Sequence, residues 1–460
     1  MLRQFLKTGI GGIVSQVAAV AALPVISRLY SQGDIGAWAV WYSVGVIVGS
    51  VASLRYEPAI VIAKDDSEAW ALTWLCAVLA ACWAVAVSVL LIWTPFANMA
   101  GASSGVPPGV IAMIVPLCLC LAFSQVLQSW CTRRGRFGLL AAAQIALVVT
   151  PLAVQIAGSA LGGGVAWLAA GNLAGQFAAV LVALPVWRGG GIVRGNITEV
   201  ARRFAKFPLF SAPYTLFGVI RDRAALLVLQ AHITPPQLGQ YSYAYRGLNL
   251  PVGLVSGIIR PVLFRACAAD SVTAAEPVVH RLHLALACAA TPFVVLFCFM
   301  PDQIVELVLG RGWAAAGEIG LWLIWPSFTF LFCNWLDRVL DVLGRQSLAL
   351  GMEVAFSILS IGGMAAAFAC GWGFRGALAA QSIMLTFYNL TYLVATYRAS
   401  RWSLLSLARL AGVIAGVAVA SVCLLVLARA FLPLWPAAVT FSVVAGCTGS
   451  MLVWKMVKCL

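Results

Sequence analysis

The chain has 460 residues, of which 62% are hydrophobic and only 10% are charged, and its mean hydropathy is +0.98. Soluble domains are about 45–50% apolar and about 25% charged, so the composition excludes a soluble enzyme, a soluble DNA-binding domain and a disordered regulator. The formal net charge is +14, from 29 basic and 15 acidic side chains. The sequence therefore indicates a polytopic membrane protein with little mass outside the bilayer.

Long apolar runs follow one another along the whole chain, and a helix that crosses a bilayer needs roughly 20 such residues. The first run follows Arg3 and Lys7, and its length predicts a first span rather than a signal peptide. The runs are 10–26, 35–54, 70–93, 110–130, 137–161, 165–187, 207–229, 238–264, 282–300, 319–339, 348–370, 377–397, 404–427 and 432–457. They predict an all-α polytopic membrane protein with about 14 transmembrane helices.

Most of the 29 basic residues lie in segments that are cytoplasmic if the N-terminus is inside. Cytoplasmic loops of membrane proteins carry an excess of Lys and Arg. We therefore expect both termini to be cytoplasmic, and we ascribe the net charge to membrane orientation rather than to nucleic-acid binding. The 13 cysteines lie mostly inside apolar runs and show no metal-ligand spacing, so neither a metal site nor a disulfide framework is expected.

Several arginines fall within or at the ends of predicted spans: Arg28, Arg55, Arg221, Arg223, Arg246 and Arg260. A cation at the bilayer centre costs about 2.5–3.5 kcal/mol on insertion scales, so such residues indicate a water-filled cavity or internal partners. Snorkelling to the headgroups is an equal alternative for Arg28 and Arg260, which lie near span ends. Positions 221 and 223 are about 200° apart on a helix, so one of them can instead pair with Asp222 or with another helix.

Three carboxylates lie in or just beyond predicted spans, and they are candidates for coupling transport to an ion gradient: Glu57, Asp222 and Glu353. Glu57 and Asp222 have arginines beside them in sequence, and a neighbouring cation lowers a carboxyl pKa. Glu353 has no cation nearby in sequence, so it is the candidate proton carrier. A hydrogen-bonded glutamate that packs between helices is an equal alternative.

The chain contains an internal repeat. Residues 35–42 match residues 238–245, Gly135-Arg136 matches Gly344-Arg345, and a Phe-x-Lys sequence precedes both the first and the seventh span. These matches predict an N-terminal six-helix lobe at 1–187, a cytoplasmic linker at 188–206, a C-terminal six-helix lobe at 207–398 and two additional helices at 404–457. Within the linker, Asn196 and Glu199 resemble a capping box that begins an interfacial helix. Parallel repeats of this kind place a substrate between the two halves.

Three groups of residues carry a resemblance to a known family. They are Tyr30-Ser31-x-x-Asp34-Ile35-Gly36 with Leu54-Arg55-Tyr56-Glu57-x-Ala59-Ile60-Val61, then Tyr243-Ala244-Tyr245-Arg246 followed by Pro251, and Gly310-x-x-Trp313-x-x-Ala316-Gly317. In this order and spacing they resemble the bacterial polysaccharide-unit (O-antigen and exopolysaccharide) flippases of the multidrug/oligosaccharidyl-lipid/polysaccharide (MOP) exporter superfamily. The resemblance covers roughly residues 1–400.

This resemblance implies a two-lobed, V-shaped helical bundle in the bacterial inner membrane. The implied function is alternating-access transfer of an undecaprenyl-diphosphate-linked oligosaccharide from the cytoplasmic to the periplasmic leaflet, for surface polysaccharide synthesis. The bilayer and other membrane proteins of polysaccharide assembly are candidate partners, and no cofactor, metal or enzymatic activity is expected.

The implied site has three sets of residues. Arg55 would engage the diphosphate by its motif position, and Arg246 and Arg260 by their place in the cavity, with Arg223 and Arg28 as further candidates. Trp38, Tyr42, Tyr241 and Tyr245 could stack on sugar rings, although an interfacial aromatic belt is the more common use of such residues. By the same rule Trp70, Trp93, Trp130 and Trp187 are predicted belt residues.

Three other functions are compatible with parts of this pattern. A multidrug exporter of the same superfamily would favour acidic cavity residues, which the surplus of arginine argues against. A lipid II flippase would also have fourteen spans. A membrane-embedded polysaccharide polymerase or glycosyltransferase would need catalytic residues on a sizeable outer loop, and the longest outer loops, near 94–109 and 301–318, show no such constellation.

Overall fold

The computed structural model describes residues 2–93, 106–188, 196–269 and 272–431, and within these ranges the regular structure is entirely helical. The helices are α1 (Leu2–Leu29), α2 (Gln32–Gly49), α3 (Ala59–Ile62), α4 (Asp66–Trp93), α5 (Pro108–Ala112), α6 (Ile114–Arg133), α7 (Phe137–Ala160), α8 (Val165–Ala183), α9 (Ile197–Arg203), α10 (Ala212–Leu229), α11 (Pro235–Ala269), α12 (Glu276–Phe299), α13 (Pro301–Leu309), α14 (Ala314–Cys333), α15 (Asp337–Val342), α16 (Gln346–Ala369), α17 (Gly373–Ala399) and α18 (Leu404–Phe431). Single turns of 3₁₀ or π helix at Leu184–Trp187, Phe207–Ser211 and Thr273–Ala275 join some of them.

The predicted spans and the observed helices agree closely. In the described ranges, nine helical stretches are long and apolar enough to cross a membrane, and a further apolar helix covers Ser15–Leu29. Each of the first thirteen predicted runs overlaps one helix or two consecutive ones. The chain is therefore a multi-pass, all-α membrane protein. The fourteenth run, 432–457, lies outside the described residues, so the total of fourteen spans stays a prediction.

One span ends earlier than its apolar run. The run 35–54 predicts a helix to Leu54, but α2 ends at Gly49 and the chain then makes a series of tight turns before α3. Leu54 and Arg55 both adopt left-handed backbone conformations, with φ of 48° and 60°. The expectation of one helix as far as Leu54 is wrong here. The chain leaves helical geometry after Gly49, and the two left-handed residues that follow cannot belong to a right-handed helix.

The chain forms two compact units. The first contains Met1–Tyr243 and Glu353–Ala377, and the second contains Ala244–Met352 and Leu378–Leu460. The predicted lobes and linker, 1–187, 188–206, 207–398 and 404–457, stay a prediction.

In the first unit, two glycines from the sequence repeat lie against each other. A Cβ built on Gly36 in α2 would lie 2.0 Å from the carbonyl oxygen of Pro235 and 2.8 Å from the amide nitrogen of Gly239. A Cβ on Gly239, in the first turns of α11, would lie 2.0 Å from the carbonyl oxygen of Gln32. The two backbones can approach this closely only because neither position carries a side chain. The repeat thus places its own equivalent helix starts in contact.

A buried tryptophan cluster packs one end of the first unit. Trp70 and Trp130 are 4% and 0% exposed, and the ring centroid of Trp70 lies 5.2 Å from that of Trp130 and 5.4 Å from that of Trp187. The indole Nε1 of Trp130 donates to Thr73 Oγ1 at 2.8 Å. The belt prediction is therefore wrong for Trp70 and Trp130, because an interfacial ring must face the headgroups and these two rings face protein.

The linker helix α9 begins as the sequence predicts. Asn196 caps it by accepting hydrogen bonds from the amides of Thr198 and Glu199, at 3.1 and 3.3 Å. Its apolar face is buried through Val200, and Arg203 pairs with Glu68 in the first turn of α4. The short helix is thereby fixed to the body of the first unit.

A buried histidine ties three helices of the second unit together. His283 in α12 is 0% exposed, and its Nε2 lies 2.9 Å from the carbonyl oxygen of Phe332 in α14. Its Nδ1 lies 2.9 Å from the hydroxyl of Tyr397 in α17. A carbonyl can only accept, so Nε2 carries the proton and Nδ1 accepts from the tyrosine. One imidazole therefore forms hydrogen bonds to both neighbouring helices, α14 and α17.

Candidate functional site

The turn after α2 holds a compact ion-pair network. Arg55 Nη1 lies 2.8 Å from Glu57 Oε1 and 3.4 Å from Gln125 Oε1 of α6. Ser53 Oγ donates to Glu57 Oε2 at 2.5 Å. The Glu57 side chain is 2% exposed, whereas that of Arg55 is 28% exposed. The carboxylate is thus buried and fully engaged, while part of the guanidinium remains accessible.

The backbone of this turn is strained at Leu54 and Arg55, which both have positive φ. A non-glycine residue in the left-handed region costs of order 1–3 kcal/mol and persists only when its surroundings impose it. Here Ala59 and Ile60, directly after the turn, are both fully buried. Tyr56 donates from its hydroxyl to the carbonyl oxygen of Ala201 in α9 at 3.1 Å. Burial, with a smaller contribution from Cys76, raises the Tyr56 pKa, so the phenol stays protonated and keeps donating.

A second charge cluster joins α10 to α16 within the first unit. Arg221 Nη1 lies 2.7 Å from Glu353 Oε2, and Arg221 Nε and Nη2 lie 3.1 and 3.0 Å from Asp222 Oδ1. The side chains of Arg221 and Glu353 are only 12% and 6% exposed. No cation lies close to Glu353 in sequence, but the fold brings Arg221 to it from 132 residues away. The lack of a cationic neighbour therefore does not distinguish Glu353 from Glu57 and Asp222. Arg221 therefore pairs both with Asp222 and with a residue of another helix, which is the alternative to substrate binding that the sequence left open for Arg221 or Arg223.

An aromatic stack lies beside the remaining arginine of α10. The Arg223 guanidinium carbon lies 5.5 Å from the ring centroid of Tyr42, and Tyr42 stacks on Trp38 at 6.0 Å with an interplanar angle of 21°. Tyr42 and Arg223 are half-buried. Trp38 and the sugar-stacking candidate Tyr241 are 4% and 2% exposed. Tyr42 therefore offers more accessible ring surface than those two.

The second unit contains two of the predicted arginines and one of the predicted tyrosines. Arg260 in α11 donates from Nη2 to the carbonyl oxygen of Asn334 at 2.8 Å, and Asn334 donates from Nδ2 to Ser256 Oγ at 2.8 Å. Asn334 is the C-cap of α14, and a cation is favourable at a helix C-terminus. Arg246 and Tyr245 lie half-buried on the same helix, α11.

Arg28 makes a local contact within α1. Its side chain is exposed, and Nη1 donates to the carbonyl oxygen of Pro24 one turn earlier, at 3.1 Å. The structure thus brings Glu57 to Arg55, Glu353 and Asp222 to Arg221, and Tyr42 to Arg223. Sequence reasoning missed Ser53 and Gln125, which complete the Arg55 network, because an ordinary serine and glutamine in apolar surroundings carry no distinguishing pattern.

Comparison with protein families gives one clear match. Residues 12–318, more than half of the chain, match a family described as polysaccharide biosynthesis protein. No curated protein sequence matches the chain.

Solved structures share the fold across nearly the whole chain. A structure described as lipid II flippase MurJ in an inward closed conformation has a TM-score of 0.71 at 13% identity, covering 99% of each chain. An outward-facing multidrug resistance MATE family transporter of the MOP superfamily has a TM-score of 0.58 at 14% identity, covering 90% of this chain and 95% of its own. An inward-facing structure of such a transporter has a TM-score of 0.54 at 14% identity, with the same coverage. At these identities the likeness shows the MOP-type fold.

Proposed function

The chain belongs to the polysaccharide biosynthesis protein family, and from that premise we propose that it flips an undecaprenyl-diphosphate-linked oligosaccharide. The transfer runs from the cytoplasmic to the periplasmic leaflet of a bacterial inner membrane, by alternating access, and supplies surface polysaccharide such as O-antigen or exopolysaccharide. Membrane transporters share its fold, and this supports transport rather than catalysis.

The observation that carries the proposal is the environment of Arg55. Its guanidinium lies in a strained turn, is held on one side by Glu57 and Gln125, and is 28% exposed on the other. A guanidinium forks onto two phosphate oxygens at once and keeps its charge when partly dehydrated. A partly exposed, pre-positioned arginine in the turn that follows α2 suits a membrane-bound diphosphate. We assign Arg55 to the first contact with that group.

Sugar rings attached to the diphosphate need an accessible aromatic surface. Tyr42 provides one in the first unit, and Arg223 lies over its ring at 5.5 Å. A sugar that packs against the accessible part of Tyr42 can also hydrogen-bond to this guanidinium, since a guanidinium has five N–H donors. We propose that Tyr42 and Arg223 bind the glycan, with Trp38 supporting the Tyr42 ring from behind.

The two candidate arginines of the second unit, Arg246 and Arg260, differ in their surroundings. Arg260 bonds to the C-cap residue of α14, so its contacts favour a role in holding that helix end. Arg246 is half-buried on α11, and we propose it as a second diphosphate contact. Tyr241 and Tyr245 on α11, and Arg28 on α1, remain proposed contacts of lower priority.

Proton coupling is proposed for the cluster around Glu353. Its Oε2 lies 2.7 Å from Arg221, which also contacts Asp222. Protonation of Glu353 would weaken this pair, which is one of the contacts between α10 and α16, so the two helices would separate more readily. The same logic makes Glu57 and Asp222 secondary candidates.

Transport in proteoliposomes tests the function. Purified protein is reconstituted with a fluorescently labelled undecaprenyl-diphosphate oligosaccharide, and the fraction accessible to a membrane-impermeant quencher is followed with time. Loss of one bidentate charge-assisted contact, about 1.5–3 kcal/mol, should slow flipping by Arg55→Ala by roughly one to two decades. Arg55→Lys keeps the charge without the fork and should fall between the two.

The control is Arg311→Ala, which removes an exposed arginine after α13 and should flip at the wild-type rate. Wild-type flipping by Arg55→Ala would remove the diphosphate role of Arg55. Failure of the wild-type protein to move the labelled lipid in liposomes that contain it in folded form would refute the function. Unlabelled lipid II and cationic drugs, added as competitors, separate the two alternatives that share this fold.

A further inference from the structure

Glu57 is placed as an anion that occupies Arg55 when no substrate is bound. The carboxylate receives two contacts, from Arg55 Nη1 at 2.8 Å and from Ser53 Oγ at 2.5 Å, and is 2% exposed. Ser53 is itself buried, at 2%. The serine therefore orients Glu57 toward the arginine, and the carboxylate lies where a phosphate oxygen would bind one arm of the guanidinium.

Arg55 is only partly satisfied by these contacts. Nη1 serves both Glu57 and Gln125, whereas Nε is buried and has no hydrogen-bond partner among the described residues. A guanidinium carries five N–H donors. Because Nε is buried, an incoming anion reaches the guanidinium only through the exposed 28% of the side chain. There it competes with Glu57 and Gln125 for Nη1.

The geometry points to a built-in competition: we propose that Glu57 sets the affinity of Arg55 for the diphosphate and speeds its release. When the diphosphate binds, it takes over the contacts of Nη1, and the buried Glu57 carboxylate loses its cation. A buried charge without its counter-ion is unfavourable, so part of the gain from the phosphate contact is offset. The returning carboxylate then helps to displace the diphosphate. The inference rests on the proposed function and adds a specificity-determining residue to it.

A moderate affinity for the diphosphate is useful in a transporter, because a substrate that binds too tightly is not released. Glu57 lies two residues after Arg55, and the left-handed turn at Leu54 and Arg55 folds the chain back so that the two side chains meet. The competitor and the binding group therefore belong to one rigid turn. Their separation does not depend on the movement of any other helix.

Binding of farnesyl diphosphate to the purified full-length protein in detergent, measured by calorimetry, tests the idea. Glu57→Gln keeps the shape and the Ser53 contact but removes the charge, so it should bind the probe about tenfold more tightly, equivalent to about 1.4 kcal/mol. In proteoliposomes the same variant should show a lower KM and a lower maximal flipping rate for the lipid-linked oligosaccharide. Glu57→Asp should restore both values in part. Glu306→Gln, an exposed carboxylate on α13, removes the same charge elsewhere and should change neither.

The outcomes separate this inference from the proposed function. Unchanged or weaker probe binding by folded Glu57→Gln, with normal flipping by the wild type, overturns the competition and leaves the flippase intact. Tighter probe binding by Glu57→Gln, with no movement of the lipid-linked oligosaccharide by the wild type, supports the competition and overturns the function. If Glu57→Gln does not fold, Ser53→Ala, which loosens Glu57 without removing it, must bind the probe more tightly than wild type, or the inference fails.

Discussion

The contact between Gly36 and the start of α11 makes a quantitative prediction about Gly36→Ala. The added methyl would lie 2.0 Å from the carbonyl oxygen of Pro235, whereas carbon and oxygen normally approach to about 3.3 Å. The two helices must therefore separate by about 1.3 Å. The obstructing atoms belong to the backbone, so no side-chain rotation can relieve the overlap.

The expected loss of stability follows from two opposing effects. Overpacking costs typically about 1–3 kcal/mol, and the upper end applies because backbone must move. Replacing glycine by alanine inside a helix stabilises the folded state by about 1 kcal/mol. The net loss is about 2 kcal/mol, or roughly a 30-fold smaller ratio of folded to unfolded protein.

Thermal unfolding of the detergent-purified protein, followed by fluorescence-detected gel filtration, measures this loss. Gly138→Ala in α7 is the matched control, since no atom lies within 4 Å of its built Cβ, and it should melt at or above the wild-type temperature. Gly239→Ala breaks the same contact from the other side, so the double variant should lose less than the sum of the two single losses. A Gly36→Ala protein that melts like Gly138→Ala would refute the reasoning.

Three further predictions concern other parts of the molecule. Glu353→Gln should weaken the dependence of flipping on an imposed proton gradient without lowering abundance, because it neutralises the partner of Arg221; an unchanged response to ΔpH in vesicles would make Glu353 structural. Thr73→Val removes the acceptor of the buried Trp130 indole and should cost about 1–3 kcal/mol, seen as a lower melting temperature; equal melting would show that another acceptor replaces it. Arg202→Cys, on a cysteine-free background, should resist an impermeant thiol reagent in intact cells, since α9 is predicted to be cytoplasmic. Rapid labelling would show that α9 is on the outer side of the membrane and would contradict the predicted topology.

Helices were predictable because the bilayer leaves few alternatives. Backbone groups in lipid must be satisfied within the segment, so an apolar run of sufficient length becomes a helix whatever its neighbours are. The cap at Asn196 was equally predictable, because a cap depends on residues within one turn. The turn at Leu54 and Arg55 was not, since neither residue is a glycine or proline and the left-handed conformation is imposed by packing around it.

Charge partners were predictable only where they are close in sequence. Glu57 and Arg55 are two residues apart, and both were candidates for the site. Arg221 and Glu353 meet across 132 residues, and nothing in a single sequence signals such a pair. The tryptophans show the same limit: a residue at the end of a span can face either lipid headgroups or protein, and for Trp130 the packing of neighbouring helices decides.

The attachment of α9 has a consequence for how genes of this type can change in length. Tyr56 binds the carbonyl oxygen of Ala201, and Arg203 pairs with Glu68. One residue inserted after Val200 would turn everything beyond it by about 100°, carrying both groups away from their partners, one of which adjoins Arg55. Insertions and deletions inside α9 should therefore be selected against. A version split into two separately encoded halves should be divided after α9, so that the short helix stays with the polypeptide that carries Tyr56 and Glu68.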